Sequence, residues 1–287
     1  MLAQAFFMTT KHLFFKDLSY TDTETESATT VILIHAYPLN KNMWADQIEK
    51  LREDYRVLAL DIRGFGKSEL KNPYTLENIV DDVIDLMNLK KIDQAIIAGL
   101  SMGGFVALRA IERNPERFHA LILADTKSEP DSDESKLGRY KGLVKIEKDG
   151  VNKFTDSFIE NALSQETMAE KPKVFIQVSS IAKENKKEGV AAGLLALTSR
   201  TDTTEGLSKI KVPTLVIQGE FDTVIPMKAA VALNEKIIGS KFVIIPRVGH
   251  LSNLEDPEAF NRALIEFVKA QVKVPRAKGA HGQQDSI

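Results

Sequence analysis

Short apolar runs alternate along the chain with longer stretches in which apolar residues recur every three to four positions. Runs that are apolar throughout and rich in β-branched residues are typical of parallel strands covered by helices on both faces. We predict six such strands, at residues 31–35, 56–61, 95–100, 120–125, 214–219 and 241–246. Residues 11–20, ahead of them, have the pattern of an edge strand or hairpin.

Helical periodicity lies between these strands. It covers residues 41–52, 75–89, 102–113, 226–238 and 257–272. Pro226 and Pro257 stand at the start of two of these stretches, where the missing N–H of proline costs little. Strands and helices in alternation predict an α/β fold with a mostly parallel, doubly wound sheet.

The interval between residues 125 and 214 breaks this rhythm, because a usual αβ connection has only about 2–6 residues. Helical periodicity continues through it at residues 135–146, 151–163, 172–181 and 186–197. Helices inserted here would lie over the carboxyl ends of the strands, where open α/β sheets bind ligands. We therefore expect a core domain at residues 8–125 and 213–273 with a helical cap, or lid, at residues 126–212. Residues 274–287 are polar and without period, which predicts a disordered tail.

The composition argues against several classes of function. The chain has 287 residues, of which 43% are apolar, enough for a sizeable core. Its formal net charge is −2, and basic residues are mixed with acidic ones, which argues against a nucleic-acid partner or an anionic membrane surface. Cysteine is absent, so disulfides, thiolate metal sites and a cysteine nucleophile are excluded.

The sequence also lacks the signals of a membrane or secreted protein. No apolar stretch approaches the roughly 20 residues that span a bilayer, and the first residues have no signal-peptide pattern. We expect a cytoplasmic protein that acts on a small molecule, with monomer and homodimer both open.

The strongest chemical signal is the segment GLSMGG at residues 99–104. It follows an apolar predicted strand and opens a predicted helix at Met102, as a G-x-S-x-G nucleophile elbow does. Such a turn holds the serine in a strained conformation, and side chains at positions 99 and 103 would collide, hence Gly99 and Gly103. Ser101 would project above the sheet at a helix N-terminus, where developing negative charge is stabilised.

A serine nucleophile needs a base, and the chain has five histidines. His12 lies in the N-terminal edge segment, His119 just before a strand and His281 in the tail, where ordinary structural or surface roles suffice. His250 follows the last predicted strand. When the three catalytic residues follow one another along the chain as Ser, Asp or Glu, and His, the histidine lies in the loop after the last strand. We therefore predict His250 as the general base.

The acid that orients the histidine should follow a strand between these two residues. Asp222 lies just after the strand at residues 214–219 and is our prediction. Glu220, nearer the same strand end, and Asp125, at the end of the preceding strand, are the alternatives.

The turn HAYP at residues 35–38 follows the first central strand, where half of an oxyanion hole is expected. Backbone N–H groups make this kind of site, and we assign Tyr37 and Met102 as the two donors. His35 is better interpreted as a structural histidine that ties the turn together.

The segment GFGKS at residues 64–68 ends like a phosphate-binding P-loop. The full motif needs a glycine five positions before Gly66, where this chain has Asp61. No helix begins directly at Ser68 either, since Asn72 and Pro73 follow. We interpret the segment as a turn beside the active site.

With these residues placed, residues 11–272 resemble the α/β-hydrolase-fold family. The resemblance rests on HAYPLN (35–40), DIRGFGKS (61–68), GLSMGG (99–104), VPTLVIQGEFDTVIP (212–226) and GHLSNLEDPEAFNRAL (249–264). It is greatest to small bacterial carboxylesterases, 3-oxoadipate enol-lactonase-like lactonases and cofactor-free haloperoxidases or perhydrolases.

The resemblance implies a triad of Ser101, Asp222 and His250, an oxyanion hole from the Tyr37 and Met102 amides, and no metal or organic cofactor. Ala36 departs from the family pattern, which usually has glycine there, and its Cβ could shift the Tyr37 amide. Haloalkane dehalogenases and epoxide hydrolases have an aspartate nucleophile where this chain has Ser101, so those activities are not expected.

The leading hypothesis is a serine hydrolase of carboxylic esters with short to medium acyl groups, acting through an acyl-enzyme. Apolar side chains of the insertion either size the acyl pocket or, for most of them, pack the helices together: Leu143, Val144, Phe154, Phe158, Phe175, Val178, Leu194 and Leu195. A lactonase or C–C hydrolase of aromatic degradation would need a cationic anchor such as Arg139 or Arg200. A slow-turnover ligand sensor would share the same fold.

Overall fold

The structure, a computed structural model, describes residues 13–271. The strands are β1 (Leu13–Phe15), β2 (Leu18–Asp22), β3 (Thr30–Ile34), β4 (Arg56–Leu60), β5 (Ala95–Leu100), β6 (Phe118–Ala124), β7 (Thr214–Gly219) and β8 (Lys241–Ile245). His12, the predicted start at residue 8, the predicted tail at residues 274–287 and His281 within it lie outside the described residues.

The helices are α1 (Ala45–Leu51), α2 (Leu76–Leu89), α3 (Met102–Arg113), α4 (Asp133–Asp149), α5 (Val151–Ala162), α6 (Gln165–Glu170), α7 (Pro172–Lys183), α8 (Lys187–Thr198), α9 (Met227–Lys236), α10 (Ser252–Glu255) and α11 (Pro257–Ala270). The predicted helix at residues 41–52 is a 3-10 turn, Lys41–Trp44, followed by α1. The short helices α6 and α10 were not predicted, because four to six residues carry too little periodicity.

The strands form one eight-stranded sheet in the order β1-β2-β4-β3-β5-β6-β7-β8. The β1–β2 and β2–β4 pairs are antiparallel, and every other pair is parallel. This arrangement confirms the predicted α/β fold with its mostly parallel sheet. The hairpin expected near residues 11–20 is β1 and β2.

Both faces of the sheet are covered, as the apolar strands predict. Neighbouring residues of β5 point to opposite faces, so that Ile97 joins the apolar cluster beneath α2, α3 and α9, and Ile96 joins the cluster beneath α1 and α11. β5 is buried along its whole length and lies near the centre of the sheet. Its carboxyl end therefore provides a rigid position for the residue that follows it.

Helices α4 to α8 lie between β6 and β7, in the interval where the sequence predicts an insertion. They pack into both apolar clusters, with Ile146 and Leu194 in one and Ile159 and Val178 in the other. We refer to residues 126–212 as the helical insertion. In the described part of the chain no helix is both long and apolar enough to cross a membrane.

Candidate active site

Ser101 lies between β5 and α3 in a backbone conformation with φ of 54° and ψ of −113°. A positive φ is costly for a residue with a side chain and persists only where the surroundings enforce it. A Cβ on Gly99 would lie 2.0 Å from the carbonyl oxygen of Gly103, and one on Gly103 would lie 2.0 Å from that of Ile34. The two glycines thus allow the close backbone contact that fixes this turn.

His250 and Asp222 meet at the carboxyl ends of β7 and β8. The His250 Nδ1 atom lies 2.8 Å from Asp222 Oδ2, and both side chains are fully buried. The His250 amide donates to the carbonyl of Ala162, at the end of α5, over 2.7 Å. The helical insertion therefore holds the histidine loop directly.

The Asp222 carboxylate is itself held by three donors. Its Oδ1 atom accepts from the amides of Val224 at 2.8 Å and Ile225 at 2.9 Å. Its Oδ2 atom accepts from Gln218 Nε2 at 3.0 Å, beside the bond to His250. This arrangement fixes the carboxylate and its imidazole partner in one orientation.

The two alternative acids bind elsewhere. Glu220 accepts from the amide of Arg247 at 2.9 Å. Asp125 accepts from the amide of Gly219 at 2.7 Å and from the hydroxyl of Ser252. Of the three carboxylates that the sequence left open, the structure places Asp222 on the imidazole.

The surroundings of His250 act on its pKa in opposite directions. Burial lowers the pKa, whereas the charges of Asp222, Asp125 and Glu255 and the hydrogen bond to Asp222 raise it, so that it lies above the ordinary value of 6.5. The Nε2 atom, on the far side of the ring, is buried and makes no hydrogen bond with any described residue. The structure brings Asp222 and His250 together but does not join His250 to Ser101 by a hydrogen bond.

Tyr37 lies in the turn after β3 and Met102 begins α3, and their amides are the two that we predict to form an oxyanion hole. Neither the Tyr37 nor the Met102 amide donates a hydrogen bond to another residue between 13 and 271. Ala36 is fully buried, its amide pointing to Met43 Sδ at 3.1 Å and its carbonyl accepting from Leu39 at 2.9 Å. The turn thus closes with alanine in place of the usual glycine.

His35 ties this turn to the end of β4, as predicted. Its Nδ1 atom lies 2.9 Å from the carbonyl of Ala36, and its Nε2 atom accepts from the amide of Ile62 at 2.9 Å. Because Nε2 is an acceptor, Nδ1 carries the proton. Burial lowers the pKa of His35 to about 4, so the ring is neutral.

A cavity of about 130 Å³ lies over Ser101 and is lined by Tyr37, Phe105, Lys127, Asp131, Ser135, Arg139, Phe158, Leu197, Arg200, Val224 and Ile225. Larger surface cavities, of about 380 and 400 Å³, lie away from the residues just described. Of the eight apolar side chains of the insertion considered as acyl contacts, only Phe158 lines the cavity over Ser101. The others pack between helices or, like Val144 and Leu195, are half exposed.

Two further residues organise the site, and neither was assigned a role from the sequence. Glu255 is buried and accepts from the amides of Gly249 and Ser164, which joins the histidine loop to the insertion. Asn185 donates to the carbonyl of Pro38 at 2.8 Å and accepts from the amide of Gly66 at 2.6 Å. Their contacts connect segments far apart in sequence, so only the folded arrangement reveals them.

The match to a known family covers most of the chain. The pattern of the alpha/beta hydrolase fold family matches residues 29–257. The chain belongs to the α/β-hydrolase family. No group of three or more histidine, aspartate or glutamate side chains in the described part of this α/β-hydrolase could hold a metal ion.

Its relatives include esterases and lactonases. The 3-oxoadipate enol-lactonase 2 of Acinetobacter baylyi is 30% identical over 246 residues, which cover 83% of this chain and 88% of the relative. The malate-bound thermophilic esterase from Thermogutta terrifontis superposes with a TM-score of 0.84 at 33% identity, covering 89% and 94% of the two chains. The enol-lactonase from Burkholderia xenovorans gives a TM-score of 0.80 at 30% identity, covering 88% and 96%. These similarities support hydrolase activity.

Proposed function

We propose that this α/β-hydrolase cleaves carboxylic esters, including cyclic ones, with Ser101 as nucleophile, His250 as general base and Asp222 as the orienting acid. The observation that carries the proposal is the buried Asp222–His250 contact of 2.8 Å, which leaves the opposite ring nitrogen free to accept a proton. The strained position of Ser101 beside a small cavity supports it.

The reaction would run in two halves. Ser101 Oγ attacks the ester carbonyl carbon while His250 Nε2 takes the hydroxyl proton, and the Tyr37 and Met102 amides bind the resulting oxyanion. The C–O bond then breaks, and the alcohol leaves with the proton from His250. Water attacks the acyl-enzyme, gives a proton to His250 and releases the acid, and Ser101 regains its proton.

The test is hydrolysis of p-nitrophenyl esters from acetate to palmitate by the wild type and by Ser101→Ala. We expect turnover of at least about 1 per second on the best ester, highest for short chains, because the cavity is small. The substitution should lower kcat at least about 1,000-fold. Ser135→Ala, which truncates another serine on the wall of the same cavity, is the matched control. Equal activity of wild type and Ser101→Ala would overturn the proposal.

A lactone is the second candidate substrate class. The enol-lactonases of Acinetobacter baylyi and Burkholderia xenovorans support it, since both are at least 30% identical to this chain. The two-step chemistry is unchanged for a lactone, except that the leaving alkoxide stays attached to the acyl group. A ligand sensor would instead bind its ligand tightly and turn over slowly. The p-nitrophenyl ester series distinguishes such a sensor from an esterase or a lactonase.

A further inference from the structure

Three basic side chains converge on the cavity over Ser101. Lys127 follows β6, Arg139 lies on α4, and Arg200 follows α8, so each comes from a different element. The one acidic side chain on the cavity wall, within the described residues, is Asp131. A cavity of about 130 Å³ beside a candidate nucleophile thus has three cations and a single carboxylate on its wall.

Asp131 binds two of these cations. It forms a two-pronged ion pair with Arg139, and its Oδ1 atom lies 2.8 Å from Arg200 Nη2. Burial raises the pKa of Asp131, but the neighbouring cations lower it by more. The pKa therefore lies below its ordinary value, and the carboxylate is ionised. Lys127 forms no ion pair with any described carboxylate.

Arg200 is the most deeply buried of the three. Only 3% of its side chain is exposed, and its Nε atom is buried without an acceptor among the described residues. Its Nη2 atom, although close to Asp131, is not aligned for a hydrogen bond. Burial lowers the pKa of Arg200 to about 10, although the charge of Asp131 opposes this effect, so the guanidinium remains charged at neutral pH. The guanidinium lies over the ring of Phe105, 4.1 Å from its centre.

The charge balance of this cluster remains positive. Glu129 acts on Lys127 and Arg200 through its charge but does not line the cavity. Even with Glu129 included, three cations face two anions. Arg200 is paired with Asp131, but two of its buried nitrogens have no hydrogen-bond acceptor among the described residues, which is costly for a charged group. A further anion bound in the cavity would complete the hydrogen bonds of Arg200.

The remaining wall fits a short hydrocarbon chain. It is formed mainly by Phe105, Phe158, Leu197, Val224 and Ile225. An apolar protein cavity of roughly 150 Å³ holds a molecule the size of benzene, so a volume of about 130 Å³ accommodates about six heavy atoms. A carboxylate and a reacting carbonyl together contribute five heavy atoms, so a substrate that places both at this wall has only a short chain between them.

We propose that the substrate is an ester or lactone of a short dicarboxylic acid, whose free carboxylate is bound by Arg139, Arg200 and Lys127 while Ser101 attacks the other carbonyl. This assignment rests on the function proposed above. Tyr37 also lines the cavity, and its hydroxyl, buried without a partner among the described residues, is a fourth donor for the same carboxylate.

The experiment compares monomethyl glutarate with its uncharged amide, in which a carboxamide replaces the free carboxylate at the same size. Methanol release gives kcat/KM for both esters. For the wild type we expect the charged ester to be favoured by at least about tenfold, since a hydrogen bond to a charged group contributes about 1.5–3 kcal/mol. Arg139→Gln should reduce this preference by about 10- to 100-fold. Monomethyl succinate and adipate then measure the best chain length.

The matched control is Lys145→Gln, which removes an exposed cation from α4, the helix that carries Arg139, and should leave the preference unchanged. A second measurement needs no variant: glutarate should inhibit the wild type at least about tenfold more strongly than glutaramide. Equal inhibition, or a preference that Arg139→Gln does not alter, would overturn the substrate class.

The two proposals fail in different ways. Ser101-dependent hydrolysis of the amide ester without preference for the charged ester overturns the dicarboxylate assignment and leaves the esterase intact. Absence of Ser101-dependent hydrolysis of either ester and of the p-nitrophenyl series overturns the proposed function itself.

Discussion

At the scale of single residues, the protonation of His250 governs the proposed chemistry. The base must be neutral to accept the Ser101 proton. Its pKa is raised above 6.5, because the charges of Asp222, Asp125 and Glu255 exceed the opposing effect of burial. We expect kcat/KM on p-nitrophenyl acetate to be low in acid and to rise with pH through a midpoint above 6.5. A profile that is flat between pH 5 and 8 would argue against His250 as the base.

Substitution of the carboxylates separates the candidate acids. Asp222→Asn removes the charge next to His250 Nδ1, so we expect a loss in kcat of roughly 1,000-fold or more and a lower midpoint of the pH profile. Asp125→Asn is the matched control, because its amide oxygen can still accept from Gly219 and its carboxyl does not contact the imidazole. We expect its kcat to stay within about tenfold of the wild type. The reverse order would identify Asp125 as the orienting acid.

At the scale of elements, helix α8 depends on one close backbone contact. A Cβ on Gly189 would lie 1.8 Å from the carbonyl oxygen of Gly64, in the turn after β4. Because backbone cannot yield as a flexible side chain does, Gly189→Ala should displace α8 and lower the free energy of unfolding by about 1–3 kcal/mol. Urea denaturation measures the loss.

Gly138, on α4, is the control for this substitution. Beyond the backbone of its own helix and its chain neighbours, no heavy atom lies within 4 Å of a Cβ there, and alanine favours helix, so Gly138→Ala should be neutral or stabilise by up to about 1 kcal/mol. Since α8 carries Leu197 and leads to Arg200, which both line the cavity, Gly189→Ala should also lower esterase activity. Equal stability of the two variants would contradict the importance of the contact.

The strands and the helices differ in how well the sequence predicts them and their positions. The strands and the elbow at Ser101 were predictable because a buried parallel sheet requires continuous apolar runs and the turn requires glycine. Arg139 and Arg200 could be named from the sequence but not placed in the cavity. Their positions depend on how α4 and α8 pack. Helical periodicity identifies the apolar face of a helix but not the element against which that face packs.

At the scale of the whole molecule, the helical insertion shares its core with the sheet. Ile146, on α4, is 1% exposed and belongs to the same apolar cluster as Ile97 of β5. A buried contact of this kind links the stability of the two parts. The insertion also holds the histidine loop through Ala162 and the turn at residues 35–38 through Asn185. Its helices therefore support the candidate site as well as line its cavity.

The last prediction follows from this shared core. Thermal unfolding followed by far-ultraviolet and near-ultraviolet circular dichroism should give one coincident transition. Ile146→Ala should lower the stability of the whole chain by about 2–5 kcal/mol, with a single transition retained. Val144→Ala, on the same helix at a position 49% exposed, should change it by less than about 0.5 kcal/mol. Two separate transitions, with only the earlier one shifted by Ile146→Ala, would instead make the insertion an independent unit that can open without unfolding the sheet.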